Sequence, residues 1–178
     1  GIGPAVGALA LPLSAIAQQQ LLSSPVDAYL PINIIALTLV ASFFMLREIE
    51  VAALRVRHVF IDTVRHTVRL YLASSKTDIL ARGCYREWGC LCSPHSSSPC
   101  PYHAARAHHA DLLQRFGPAL NPDLPFFPTR MGTTPTKDNV VRALRIISAL
   151  ERLPKAEHGR DYTGHSFRVS GAQYLAGL

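Results

Sequence analysis

The chain has 178 residues, 48% of them hydrophobic, so it can bury one sizeable core and a single domain is expected. Its formal charge of +6 comes from 18 basic and 12 acidic side chains, and the basic set is fifteen Arg against only Lys76, Lys137 and Lys155. The planar, forked donors of Arg suit phosphate, so the balance leans toward a nucleic-acid partner, although a solvated basic surface would give the same count.

The chain opens on Gly and stops without a turn or polar tail. It therefore reads as a fragment, cut at both ends. Residues 1–24 are rich in Ala, Leu and Gln and read as a remnant of N-terminal helices. "GIGPAVGALALPLSAIA" lacks the basic start of a signal peptide, so the chain is not expected to be secreted. Pro25 and Pro31 then punctuate the approach to the most apolar run, "INIIALTLVASFFML", Ile32 to Leu46. This run falls short of the roughly twenty apolar residues that a spanning helix needs. It also carries Asn33, Thr38 and Ser42. A buried core helix in a soluble protein is the expectation.

"REIEVAALRV" continues as a second helix, with Ile49, Ala53 and Leu54 on one face and Arg47, Glu48 and Glu50 on the other. "HVFID" and "TVRLYLAS" read as strands. Val68, Leu70 and Leu72 alternate with Arg69 and Tyr71, and "TVRH" between the strands is their hairpin turn. "SSKTD" leaves the second strand at a further turn. Gly83 to His103 turns to Cys, His, Pro, Ser and Gly without hydrophobic periodicity and reads as a loop-like insertion. "AARAHHADLLQRFG" is a helix closed by Gly117. The Pro-rich connection "NPDLPFFPTRMGTTPT", an amphipathic helix over "TKDNVVRALRIISALERL" and the loop "PKAEHGRDYTG" lead to a last helix containing "HSFR". The expected fold class is mainly α with one small antiparallel β-sheet (α+β).

Four polar features fall at the junctions of these elements. Arg47 and Glu50 are three apart and so are neighbours on a helix, as are His165 and Arg168; Lys76 lies at the turn after the hairpin. Singly, each has an ordinary explanation, an ion pair or a chance spacing.

In this order they resemble the catalytic domain of the tyrosine recombinases, or phage integrases. "LREIEVAALRVRHVFID" is similar to that family's first box, and "SSKTD" to its strand-turn lysine. "FFPTRMGTTPT" is similar to its connection, and "TGHSFRVSGAQYLAGL" to its second box of HxxR followed by small residues. The resemblance spans roughly Pro25 to Leu178, as a partial catalytic domain with a Cys/His-rich insertion at 83–103.

The resemblance implies DNA strand breakage and rejoining through a phosphotyrosine link, in site-specific recombination or integration of a mobile element. It assigns Arg47 and Arg168 to the non-bridging phosphate oxygens, where forked donors stabilise the charge of the transition state. Lys76 becomes the general acid for the departing sugar oxygen. His165 exchanges the nucleophile's proton, imidazole being the side chain that titrates nearest neutrality. Glu50 supports Arg47. No metal or nucleotide cofactor is implied for catalysis, since the bond energy is kept in the phosphotyrosine. Double-stranded DNA and further copies of the chain are the implied partners, and a nuclear location follows if the host is eukaryotic, otherwise cytoplasm or nucleoid. Arg55, Arg57, Arg65 and Arg69 suit backbone phosphates.

The family's nucleophilic Tyr lies beyond the HxxR helix. Tyr174 sits six residues after Arg168 on that helix, too close to face the phosphate, and is expected in the core. The chain is therefore expected to bind and polarise DNA without cleaving it. A non-catalytic DNA-binding remnant and a zinc-stiffened interaction module are the rival readings.

All four cysteines, Cys84, Cys90, Cys92 and Cys100, fall in the insertion, with His95, His103, His108 and His109 near them. Cys90-x-Cys92 and Cys100-x-x-His103 would supply three thiolates and one imidazole, a tetrahedral zinc set, with Cys84 able to replace one of the first pair. Disulfides, which no secretory signal supports, and free thiols on an insertion are the other two readings.

Overall fold

The computed structural model describes residues 8–19, 27–73, 82–93, 98–153 and 161–178. Its organising element is α2 (Ile34–Phe43), where eight of the ten residues are buried and no polar face exists. Such a helix is stable only when wrapped on all sides. The wrapping comes from α1 (Leu13–Ala17), α4 (Pro101–Phe116), α5 (Lys137–Leu150) and α6 (Ser166–Ala176), all of which touch α2. Inside the run, Thr38 satisfies its hydroxyl on the Ile34 carbonyl at 2.8 Å. No helix among the described residues is long and apolar enough to cross a membrane.

Leu11, Leu13 and Ile16 are buried in the same core, and the Leu11 N–H donates to Ser170 Oγ in α6 at 2.8 Å. The α3 helix (Glu48–Ala53) and a short 3-10 turn, Val56–His58, lead into a three-stranded sheet of β1 (Val59–Asp62), β2 (Thr67–Leu72) and β3 (Cys84–Gly89), antiparallel in the order β1-β2-β3. The β1–β2 turn is the expected one. Asp62 Oδ1 accepts from the N–H groups of Val64 and Arg65, both at 2.9 Å, and His66 closes the turn at φ +54°. In β2, Val68, Leu70 and Leu72 face the core, as their alternation requires.

Part of the stretch expected as a loop is a strand. Cys84–Gly89 pairs with β2 along its whole length, from Thr67 opposite Gly89 to Leu72 opposite Cys84. It is an edge strand whose first four residues are exposed, so it lacks the buried alternation that marks β2. Helix α4 also begins earlier than its apolar pattern implies. Cys100 is its N-cap in extended conformation and Pro101 its first residue, where a missing N–H costs nothing.

The Pro-rich connection runs back across the molecule. Its Phe126 N–H donates to the Leu54 carbonyl at 2.8 Å, and the Pro128 carbonyl accepts from Ile32 at 2.9 Å. Phe126 and Phe127 are buried against His108 of α4. His108 accepts at Nδ1 from the Asn33 amide at 2.9 Å and donates from Nε2 to the Phe126 carbonyl, the arrangement of a neutral ring. Burial pushes its pKa down to about 4. In α5, the Thr136 hydroxyl caps the helix by accepting from the Asn139 N–H at 3.1 Å.

Candidate functional site

The site begins at the C-terminus of α2, whose last carbonyls have no partner within the helix. Met45 turns the chain at φ +52°, its N–H reaching the Ser42 carbonyl at 3.1 Å. The next N–H, from Leu46, reaches Ala41 at 2.8 Å. This two-bond reversal usually takes Gly at the left-handed position; here Met45 fills it between buried Phe44 and Leu46.

Three consecutive carbonyls beyond the reversal's own bonds are claimed by side chains from far along the sequence. Trp88 Nε1 donates to the Phe43 carbonyl at 2.9 Å and Arg86 Nη1 to Phe44 at 2.7 Å. Arg168 Nε donates to Met45 at 2.9 Å, across 123 residues of chain. Two of these donors are cations at the negative end of a helix, where the dipole favours them.

The reversal delivers Arg47 as the N-cap of α3, in extended backbone, so it precedes the helix rather than sitting on its face. Its N–H donates to Glu50 Oε2 at 2.7 Å. The same oxygen lies 3.8 Å from Arg168 Nη2. Glu50 thus meets Arg47 through the backbone and Arg168 through the guanidinium, and ties the two arginines to one point. Arg47 Nε is buried and finds no hydrogen-bond partner among the described residues. A buried donor without an acceptor is costly and calls for a ligand or water.

Two glycines seat α6. A side chain at Gly171 would place Cβ 1.9 Å from the Ser42 carbonyl oxygen, so α6 rests directly on the α2 backbone. At Gly164 a Cβ would fall 1.7 Å from Glu48 Oε2. These close approaches bracket His165, which caps α6, is exposed, and donates its N–H to Thr163 Oγ1 at 3.2 Å. His165 lies one turn before Arg168. Lys76 lies outside the described residues, as does His95.

The other arginines scatter. Arg55 donates to Thr134 Oγ1 at 2.8 Å, and Arg57 pairs with Asp123 on the surface. Arg69 stands on the outer face of the sheet between the Phe60 and Tyr85 rings, 5.2 and 5.0 Å from their centroids. Arg65 is exposed in the hairpin turn. Tyr174 packs edge-on against Phe43 with ring centroids 5.5 Å apart.

The insertion gathers a second cluster. Cys90, Cys92, Cys100 and His103 bring one donor atom each to within 4.8 Å of one another. Cys84 opens β3, at the strand end opposite Cys90, and His108 is turned into the core. The Cys100 thiol is pushed up by burial but held down, to about 7, by the N–H groups of His103 and Leu91. Burial and the neighbouring Cys100 and Cys90 push Cys92 up to about 12.

Sequence reasoning passed over Arg86, Trp88 and the Met45 carbonyl, which carry no motif. Gly171, inside a helix of otherwise ordinary helix formers, was a readable sign of a close backbone approach.

No family model and no curated protein matches this sequence. Among solved structures, the XerH site-specific recombinase bound to difH substrate in a pre-cleavage complex is similar, with a TM-score of 0.62 and 14% identity over 93% of this chain. The post-cleavage complex with a palindromic difH substrate gives 0.61 and 14% over 92%. The chain spans only 40% and 39% of those proteins' length. The likeness is one of fold: a mostly helical domain with a small antiparallel sheet, similar to the tyrosine recombinases.

Proposed function

We propose that this chain binds double-stranded DNA at a phosphodiester and polarises that phosphate for strand breakage and rejoining, as part of a site-specific recombinase or integrase. The observation that carries the reading is the convergence of Arg47 and Arg168 on Glu50, with a buried Arg47 nitrogen that has no acceptor among the described residues. A phosphate oxygen would supply it. The DNA substrates of the similar XerH complexes support the same partner.

In this reading the two guanidiniums take the non-bridging oxygens as negative charge grows there. A tyrosine oxygen forms its bond to phosphorus while the bond from phosphorus to the sugar oxygen breaks. Lys76 gives a proton to that leaving oxygen, and His165 takes up the proton of the tyrosine hydroxyl. Glu50 acts through the arginines as a positioning residue. The packing of Tyr174 on Phe43 supports a structural role for that ring rather than that of the nucleophile, and several copies would assemble on the DNA. The reaction in this reading needs no cofactor.

Fluorescence anisotropy with a labelled duplex tests this at moderate salt. Arg47→Ala and Arg168→Ala should each weaken binding about tenfold or more, as loss of a charge-assisted hydrogen bond predicts, with circular dichroism unchanged. Binding indifferent to both substitutions would end the phosphate-clamp assignment. Incubation with a nicked duplex should give no covalent protein–DNA adduct, and an adduct mapped to Tyr174 would refute its structural role.

A further inference from the structure

We infer that Cys90, Cys92, Cys100 and His103 form a closed structural site for one Zn²⁺ ion that fastens the end of β3 to the first turn of α4. The inference stands apart from the phosphate reading, since none of its residues touches Arg47, Glu50 or Arg168.

Tetrahedral zinc with bonds of about 2.3 Å to sulfur and about 2.1 Å to nitrogen sets its donors about 3.8 Å apart for sulfur pairs and about 3.6 Å for sulfur–nitrogen pairs. Four of the six donor pairs come within about 0.4 Å of these dimensions, and all four donors lie within 4.8 Å of one another. The sulfurs of Cys100 and Cys90 are 3.8 Å apart. His103 Nδ1 lies 3.5 Å from Cys90, 3.2 Å from Cys92 and 3.3 Å from Cys100. A disulfide requires about 2.05 Å between sulfurs, and all four cysteines are free. Free thiols on an unconstrained insertion have no reason to converge with an imidazole in this shape.

The surroundings of Cys100 and Cys90 fit thiolates. The Leu91 N–H points at Cys100 Sγ and the Cys92 N–H at Cys90 Sγ, both at 3.4 Å. Such N–H···S contacts orient metal-bound sulfurs and spread their charge. Cys100 is also the N-cap of α4, where the helix dipole favours an anion. Four protein donors leave no open position, so the site is structural rather than catalytic.

What the ion would hold follows from the neighbours. The Cys90 N–H donates to the His66 carbonyl in the β1–β2 turn at 2.8 Å, and the His66 ring stacks on buried Tyr102 at 5.4 Å. The metal therefore closes a bracket between the hairpin turn, the end of the edge strand and the start of α4. Binding releases the thiol protons, so affinity falls in acid.

The test uses the whole chain, reduced, with Zn²⁺ and then Co²⁺ as the probes. One equivalent of zinc should copurify, and cobalt should give the intense visible bands of a tetrahedral thiolate centre. Cys92→Ser and His103→Ala should weaken metal binding at least about a hundredfold, whereas Cys84→Ser should leave it unchanged. Should those variants fail to fold, hydrogen exchange on the wild type decides. Chelation should speed exchange in β3 and the first turn of α4 and leave α2 and α6 as they were. A wild type that takes up neither metal, a Cys84→Ser variant as impaired as Cys92→Ser, or exchange indifferent to chelation would each overturn the inference.

Discussion

The arginine site and the cysteine cluster solve opposite problems of construction. The arginine site is assembled from remote pieces on a rigid foundation: Arg168 reaches Met45 across 123 residues, and everything rests on the end of a helix buried in the core. The cysteine cluster is assembled from one short stretch, Cys90 to His103, at the edge of the sheet, beside a strand whose first four residues are exposed. Where a core stands behind a site, long side chains and backbone carbonyls suffice to fix it. Where a site lies at the margin of the core, with Cys100 buried and Cys92 and His103 exposed, a local crosslink can add to the packing, and the four converging donors are suited to it. The two regions meet through α4. Its N-terminal turn carries Cys100 and His103, while His108 further along grips Asn33, the N-cap of α2.

The largest blow to this contrast should come at the foundation. Gly171→Ala drives a methyl group into the Ser42 carbonyl, so α6 must lift from α2 and carry Arg168 with it. Urea denaturation should show a loss of about 3 kcal/mol, at the upper end of ordinary overpacking. A neutral outcome would mean that α6 is not seated on α2 as described.

Acidification probes the link through α4. His108 holds its neutral form down to about pH 4 in the folded chain, while the unfolded ring takes a proton near its ordinary value of 6.5. Below 6.5 the unfolded state therefore binds more protons. The stability owed to this group is complete above 6.5 and is lost progressively as pH falls toward 4, by about 2 to 3 kcal/mol. The stability–pH slope of His108→Gln should be shallower over that window, and equal slopes would refute the assignment.

The smallest effect belongs to the strap between the sheet and α2. Trp88→Phe keeps the edge-on contact with Phe43 but gives up the hydrogen bond to its carbonyl. The expected cost is about 1 kcal/mol, measurable as a shift in denaturation midpoint without a change in slope. A cost near zero would show that β3 is held by its strand pairing alone.

The legibility of these regions in the sequence follows from the same contrast. Helices α2, α4 and α5 announce themselves by apolar runs, by Gly117 and by periodicity, and β2 by strict alternation. Strand β3 was hidden because its first four residues, "CYRE", are exposed and include no aliphatic side chain, so its inward positions, Cys84, Arg86 and Trp88, leave no apolar alternation to read. The cysteine donors could be read from spacing, since metal ligands in a local loop must follow one another closely. Arg47 and Arg168 stood out only through the family resemblance. Their mutual ties run through the Met45 carbonyl and one oxygen of Glu50, and a backbone carbonyl leaves no trace in residue type.

The three carbonyls at the end of α2 also have a consequence for tolerance, in the engineer's sense. Trp88, Arg86 and Arg168 are all measured from the same datum, three successive oxygens where one helix ends. Parts located from a common reference do not accumulate one another's errors, whereas parts stacked in series do. The sheet and α6 can therefore each drift or change in sequence without displacing the other. Insertions are correspondingly harmless in the surface connections and harmful at the single turn from Phe43 to Leu46, to which these three side chains are referred.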